Sequence, residues 1–245
     1  MGNRLQLGLG LLWVLLAWEV LSLALNHPAL PGPLVALADL IRHAGRLWPH
    51  FWYSFYRVVL SLLVGLVTAA PLGLAVGRKE TLDRLLMPAA YLLYPVPKIA
   101  FLPLVFLLLG IGDGARIFLV TTIIFFQILV ASRDAARGIP QQSILSMLSL
   151  GARPGQVFRH IILPACLPGI LSALRVSLGT AISVLFFTET VAGTTGLGYY
   201  IFDSMYRADY PQMLAGIVAI GLLGLMLFAF IDWLERRLCA WQYVV

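Results

Sequence analysis

PQMLAGIVAIGLLGLMLFAFID, residues 211–232, holds one charged residue, and that residue is its last, Asp232. An α-helix rises 1.5 Å per residue, so about 20 apolar residues cross the hydrocarbon core of a bilayer. This run is long enough, and Glu235-Arg236-Arg237 follows it at once. Five more runs of similar character lie upstream, at about 5–25, 56–77, 86–110, 115–132 and 167–191. The whole chain agrees with them. Its 245 residues are 60% hydrophobic and only 11% charged, with a mean hydropathy of +0.92. A soluble domain carries about 25% charged residues, and a chain this apolar has too little polar surface to face water. The expectation is an all-α membrane protein of about six transmembrane helices, in one compact multi-span body embedded in the lipid bilayer.

Six spans place both termini on the same side. Arg4, the turn with Arg78, Lys79 and Arg84, the gap with Arg133, Arg137, Arg153 and Arg159, and the tail with Arg236 and Arg237 gather ten of the 17 basic residues. Arg42, Arg46, Arg57, Arg116 and Arg207 fall opposite. Positive charge marks the cytoplasmic side, so both termini and the 133–164 gap are expected in the cytoplasm. The same flanking role accounts for the net charge of +6 without nucleic acid as a partner, since no basic run exceeds two residues. Cys166 and Cys239 lack metal or CxxC spacing and read as buried free thiols. The apolar run 5–25 is too long for a signal-peptide core, and no A-x-A site follows it, so it reads as a retained first span. Residues 1–29 are taken as this helix and the start of an outer segment, and 30–245 as the core.

Between the first two spans, Leu34, Leu37, Leu40 and Ile41 recur at helical spacing and suggest a short interfacial helix. Trp48, Phe51, Trp52 and Tyr53 resemble an aromatic belt at the point of membrane re-entry. The 86–110 span holds Pro88, Pro95, Pro97 and Pro103 together with Lys98. Interior prolines remove helix hydrogen bonds, and bilayers tolerate this only where protein or water satisfies the freed carbonyls, so a break is expected there. Lys98 within the break reads either as a pore-facing cation or as a structural charge that snorkels or pairs with Glu189. Glu189, near the outer end of the fifth span, reads as a gate or an intersubunit contact. Arg175 reads as structural, and Glu19 has no evident partner. The stretch 192–210, with Gly193, Gly196 and Gly198, reads as a loop.

RDAARGIPQQSILSMLSLGARPGQVFRHIILP, residues 133–164, is the polar exception. Pro140 and Gly151 bracket one short helix with proline in and glycine out, and Pro154 can start a second. The first carries Ile144, Leu145 and Leu148 on one face. The second separates Val157, Phe158, Ile161 and Ile162 from Gln156, Arg159 and His160. Two helices too short to stand alone, joined at a glycine bend, make a knob of about 140–164. It either docks a partner or packs on the chain's own span ends.

Gly151, nine residues, then Ile161-x-Leu163-Pro164 resembles the G-x9-I-x-L-P half of the signature loop of bacterial ATP-binding-cassette (ABC) importer permeases. LPGPLVALADL (30–40), YPVPKIAFLPLVFLLLGIGD (94–113) and GTTGLGYYI (193–201) are similar to the nitrate/sulfonate/taurine/bicarbonate-type members, and the resemblance runs from about Leu30 to Trp241. The signature's opening Glu-Ala-Ala is replaced by Leu145-Ser146-Met147. The resemblance implies a type I ABC importer permease fold in the bacterial inner membrane. It implies a transport subunit rather than an enzyme, with ATP and Mg held by a partner ATPase dimer and no cofactor on this chain. It also implies an external substrate-binding protein and a second permease chain, with a second copy of this one as the first expectation. Cargo would be a small solute, chiefly a small anion such as nitrate, a sulfonate, taurine or bicarbonate, with an aromatic heterocycle as the alternative. Leu145, Leu148, Gly151, Ala152, Arg153, Ile161, Leu163 and Pro164 would couple to the ATPase, and Pro95, Pro97, Lys98, Glu189, Gly196 and Gly198 would shape the pore or its gate.

The residues themselves agree with a division of labour. No G-x4-G-K-[ST] phosphate loop occurs, and Gly73-Leu-Ala-Val-Gly77-Arg-Lys79 is only its nearest imitation. No HExxH is present, and His27, His43, His50 and His160 fall outside the expected spans, which argues against an intramembrane enzyme. A secondary transporter needing no ATPase is the remaining rival.

Overall fold

A computed structural model describes the backbone of residues 2–242 and side chains from residue 8 to residue 242, so Arg4 lies outside the described side chains. Helix α1 spans Gly2–Leu25, α2 Pro33–Arg42, α3 Ala44–Arg78 and α4 Glu80–Leu93. A 3-10 turn at Lys98–Phe101 leads into α5, Leu102–Leu109, followed by α6, Asp113–Arg137, and α7, Gln141–Ser149. Helix α8 runs Pro154–Thr190, α9 spans Leu197–Tyr206 and α10 Tyr210–Leu238. Five of these helices are long and apolar enough to cross a membrane, and α4 with Lys98–Leu109 forms a sixth span bent by 78°. The spans expected from the sequence are therefore present, the third one broken at its prolines.

The chain divides into two compact units, one up to Phe55 together with Phe186–Leu223, the other Tyr56–Leu185 together with the segment from Gly224. The sequence boundary at residue 29 falls inside the first unit. In that unit α1 clips the turn that follows it: the Trp18 indole donates to the Pro31 carbonyl at 3.1 Å and the Ser22 hydroxyl to that of Leu30 at 2.7 Å. Glu19, unexplained by sequence, lies between them, and a Cβ on Gly32 would stand 2.7 Å from its carboxylate. Gly32 is the residue that caps α2, so the carboxylate sits at the positive end of that helix.

In the second unit the imitation phosphate loop has a packing role. A Cβ on Gly73 would stand 2.5 Å from the Leu129 carbonyl, and one on Gly77 would collide with the carbonyl of Arg133. Two glycines four residues apart let the backbones of α3 and α6 touch, the small-residue mode of helix contact in lipid. Leu119, Ile124 and Ile128 of α6 are buried. Leu102, Val105 and Phe106 of α5 cluster against Ala115 and Leu119. Arg175 pairs with Asp232 and Glu235, joining α8 to α10, which is the structural role expected of it.

Three expectations are corrected. The second knob helix is not separate, because Pro154 opens a helix that continues to Thr190. A π-turn at Phe158–Ile162 carries the knob into the span. Its cause is local, since Pro164 and Pro168 lack the N–H groups that a regular α-helix would offer to His160 and Pro164. The loop 192–210 contains a ten-residue helix, α9. Arg57 and Arg116 are not flanking charges: they stand inside α3 and α6 with only 1% and 4% exposure. Arg57 forks onto Asp113 at 2.9 and 2.5 Å, and Tyr56 also donates to Asp113.

Candidate functional site

The knob is built by two stop signals and one start signal. Pro140 has φ −58° and ψ 129°, extended backbone that cannot continue α6 and instead caps α7. At the other end Gly151 has φ +80°. Its N–H donates to the Leu148 carbonyl at 2.9 Å and that of Ala152 to the Met147 carbonyl at 3.2 Å. This is the paired closure of a helix on a left-handed glycine, and a side chain there would strain it. Arg153 then caps α8, its backbone N–H donating to Gln156 Oε1 at 2.8 Å, and Pro154 fills the first helical position. Of α7 only Ile144 is buried. Leu145, Leu148 and Leu150 are 52%, 44% and 88% exposed. A shallow groove beside them is lined by Met147, Gly151, Ala152, Gln156 and His160. Ile161 lies in the π-turn, and Leu163 and Pro164 in the helical turn after it, while Gly151 and Ala152 line the groove itself.

The knob is rooted in an ion cluster that sequence reading missed. Arg133 forks onto Asp83, Nε to Oδ1 at 2.7 Å and Nη2 to Oδ2 at 2.8 Å, and Arg137 donates to Oδ2 at 2.8 Å. Arg133 also reaches Asp134 at 2.6 Å. In the turn that opens α4, Asp83 thus accepts three hydrogen bonds from two guanidinium groups. The available signal was two acids, Glu80 and Asp83, in a basic turn, 78–84, with two arginines one helical turn apart at 133 and 137.

The expected pore residues fall into two groups. Pro95, Pro97 and Lys98 belong to the second unit, at the break between α4 and α5. Helix α4 ends at Leu93 with carbonyls that the prolines cannot serve. The Lys98 ammonium serves them, donating to Leu93 O at 2.8 Å, Tyr94 O at 3.1 Å and Val96 O at 3.5 Å. It also stands 4.7 Å from the ring centre of Phe126. Beside it lies an apolar cavity of about 350 Å³, walled by Phe101, Val105, Phe118 and Phe126 among others.

Glu189, Gly196 and Gly198 belong to the first unit and meet at one point. The Glu189 carboxylate is fully buried. It accepts from the Ser54 hydroxyl at 2.8 Å and from the Gly198 N–H at 3.0 Å. The Leu197 N–H donates to the same hydroxyl at 2.8 Å. Gly196 has φ +106°, and a Cβ there would collide with the carboxylate. The glycines thus wrap the start of α9 around Glu189, which takes the place of a helix cap that Gly196 lacks.

Residues 57–239 match the family model described as binding-protein-dependent transport system inner membrane component. The taurine transport system permease protein TauC of Escherichia coli is 34% identical over 252 aligned positions, covering 99% of this chain and 92% of that protein. The putative aliphatic sulfonates transport permease protein SsuC of Bacillus subtilis is 30% identical, covering 94% and 84%. Among solved structures, a chain of the MetNI methionine ABC transporter in an inward-facing conformation superposes with a TM-score of 0.69. It is 24% identical and covers 80% of this chain and 98% of that one.

Proposed function

This chain belongs to the binding-protein-dependent transport system inner membrane components and is the permease subunit of an ABC importer, and we propose that its cargo is a small organic sulfonate of the taurine type. The observation that carries the cargo is the end-to-end similarity to a taurine permease, 34% over 99% of the chain, with an aliphatic-sulfonate permease beside it. An external binding protein delivers the sulfonate, and two ATPase subunits on the opposite side supply ATP hydrolysis. A second copy of the chain completes the pore, as a single chain without an internal repeat makes only half of a two-fold path.

The orientation follows from charge. With Arg57 and Arg116 buried, the side opposite the knob keeps Arg42, Arg46 and Arg207 as flanking cations, which sharpens the bias that puts both termini and the knob in the cytoplasm. There Leu145, Leu148 and Leu150 offer the ATPase an apolar contact, with Arg153 and Arg159 at its rim. The lost signature glutamate costs little in this arrangement, because rim ion pairs contribute about 0–1 kcal/mol. Alternating access then turns ATP-driven movement of the knob into opening and closing of the path.

Uptake of radiolabelled taurine by vesicles holding this permease, its ATPase and its binding protein tests the reading. ATP-dependent uptake that excess alkanesulfonate competes away, and that Leu148→Glu abolishes by releasing the ATPase, is expected. Uptake that bicarbonate or nitrate competes away and sulfonates do not would overturn the cargo. Unchanged assembly and uptake in Leu148→Glu would overturn the docking surface.

A further inference from the structure

We propose that Asp83 is the positioning residue through which displacement of the knob reaches the broken span, a role that rests on the importer reading above. The route is short and made of stiff parts. Helix α7 leaves α6 by Gly138, Ile139 and Pro140 alone, so movement of the knob pulls on the last turns of α6 as well as on α8, into which it continues. Those turns carry Arg133 and Arg137, and both guanidinium groups close on Asp83 in the first turn of α4. Two of the three hydrogen bonds come from one planar fork, which fixes direction as well as distance.

Helix α4 is 14 residues long, about 20 Å at the standard rise. Its far end is the Tyr94–Pro97 break, where the chain turns by 78°. A lever is gripped at one end by Asp83 and hinged at the other by prolines. The covalent tie between α3 and α4 is the extended residue Lys79, with φ −121° and ψ 106°, and one extended residue transmits little torque. The α3 side is already locked to α6 by Gly73 and Gly77. Asp83 is thus what makes α4 move with α3 and α6 as one body.

The Asp83 side chain is 16% exposed, and those of Arg133 and Arg137 are 13% and 59% exposed. A two-pronged, mostly buried fork of this kind contributes to folding as well as to geometry, so the test must separate the two.

The test uses the assembled permease–ATPase–binding-protein complex in vesicles, with Asp83→Asn and Asp83→Glu, radiolabelled taurine as probe, and ATP hydrolysis measured alongside. In parallel, spin labels at Thr81→Cys and Gln142→Cys, in a Cys166→Ala, Cys239→Ala background, report the distance from α4 to the knob with and without trapped ATP. Asp83→Asn is expected to assemble and hydrolyse ATP while moving about ten-fold less taurine per ATP. Its label distances should broaden in both states, and Asp83→Glu should recover both readouts. Label distances in Asp83→Asn as narrow as in the parent would overturn the proposal, as would parental taurine per ATP. A parent complex with no ATP-dependent uptake would sink the cargo reading instead, and the label distances would still decide the role of Asp83.

Discussion

Replacing Glu189 by alanine separates two accounts of that residue, a gate acting on cargo and an internal cap for α9. The carboxylate accepts from Ser54 Oγ and from the Gly198 N–H, and both donors are buried with it. Removing a buried acceptor costs about 1–3 kcal/mol for each donor left unpaired. The serine can recover by turning its hydroxyl back to the carbonyl one helical turn earlier. The Gly198 N–H cannot, as the first turn of a helix offers it no partner. Adding the cavity left by the side chain, Glu189→Ala should lose about 2–4 kcal/mol. SDS-induced unfolding of the purified chain in mixed micelles measures this directly. Gly196→Ala should lose a comparable amount, because its methyl would collide with the carboxylate and its φ of +106° disfavours any side chain. The double variant should lose less than the sum, by about 1 kcal/mol or more, since the methyl then enters the space the carboxylate left. An unfolding midpoint unchanged in Glu189→Ala, with uptake abolished, would refute the capping account and restore the gate.

Two further outcomes follow from the helix contacts. Gly73→Ala and Gly77→Ala should each cost about 1–3 kcal/mol in the same unfolding assay through overpacking. Gly221→Ala, which meets nothing within 4 Å, should be neutral or better, and equal stability of all three would show that α3 and α6 do not touch. Lys98→Met should lose about 1–2 kcal/mol by uncapping the carbonyls at the end of α4, and Lys98→Arg should keep most of it. A Lys98→Met chain as stable as the parent that no longer transports would return Lys98 to the pore.

The spans were legible because bilayer thickness imposes length and apolarity together, and the sequence shows both. The knob was legible for a different reason: proline and glycine act through the backbone itself, so Pro140, Gly151 and Pro154 mark boundaries whatever surrounds them. What stayed hidden depends on partners distant in sequence. Nothing local tells that α8 runs unbroken through the π-turn, since in the sequence the polar knob reaches Pro164 and the apolar run begins only at about 167. The 192–210 stretch reads as loop because its glycines are spent on Glu189, and the helix they begin is capped from another element. Arg57 and Arg116 sit near span ends in sequence and look like flanking charge. Only the fold shows Arg57 turned onto Asp113.

These charges have a common logic that bears on how permease sequences are read. Glu19 lies at the start of α2, Asp113 in the first turn of α6, and Glu189 against the start of α9. Each is an anion at the positive end of a helix dipole. Lys98 is a cation on the last carbonyls of α4, the negative end. A membrane helix that breaks exposes backbone groups that lipid cannot satisfy, and a charge of the matching sign is a compact way to satisfy several at once. An ionisable residue within a few positions of a proline or glycine break is therefore first a candidate cap, its sign foretelling which side of the break it serves. Glu19 shows that a charge can also reach a helix start from another element, so only a charge that neither lies near such a break nor meets one in the fold starts as a candidate for the cargo path. By that criterion Pro95 and Pro97 made Lys98 a cap, and the glycines at 193, 196 and 198 did the same for Glu189.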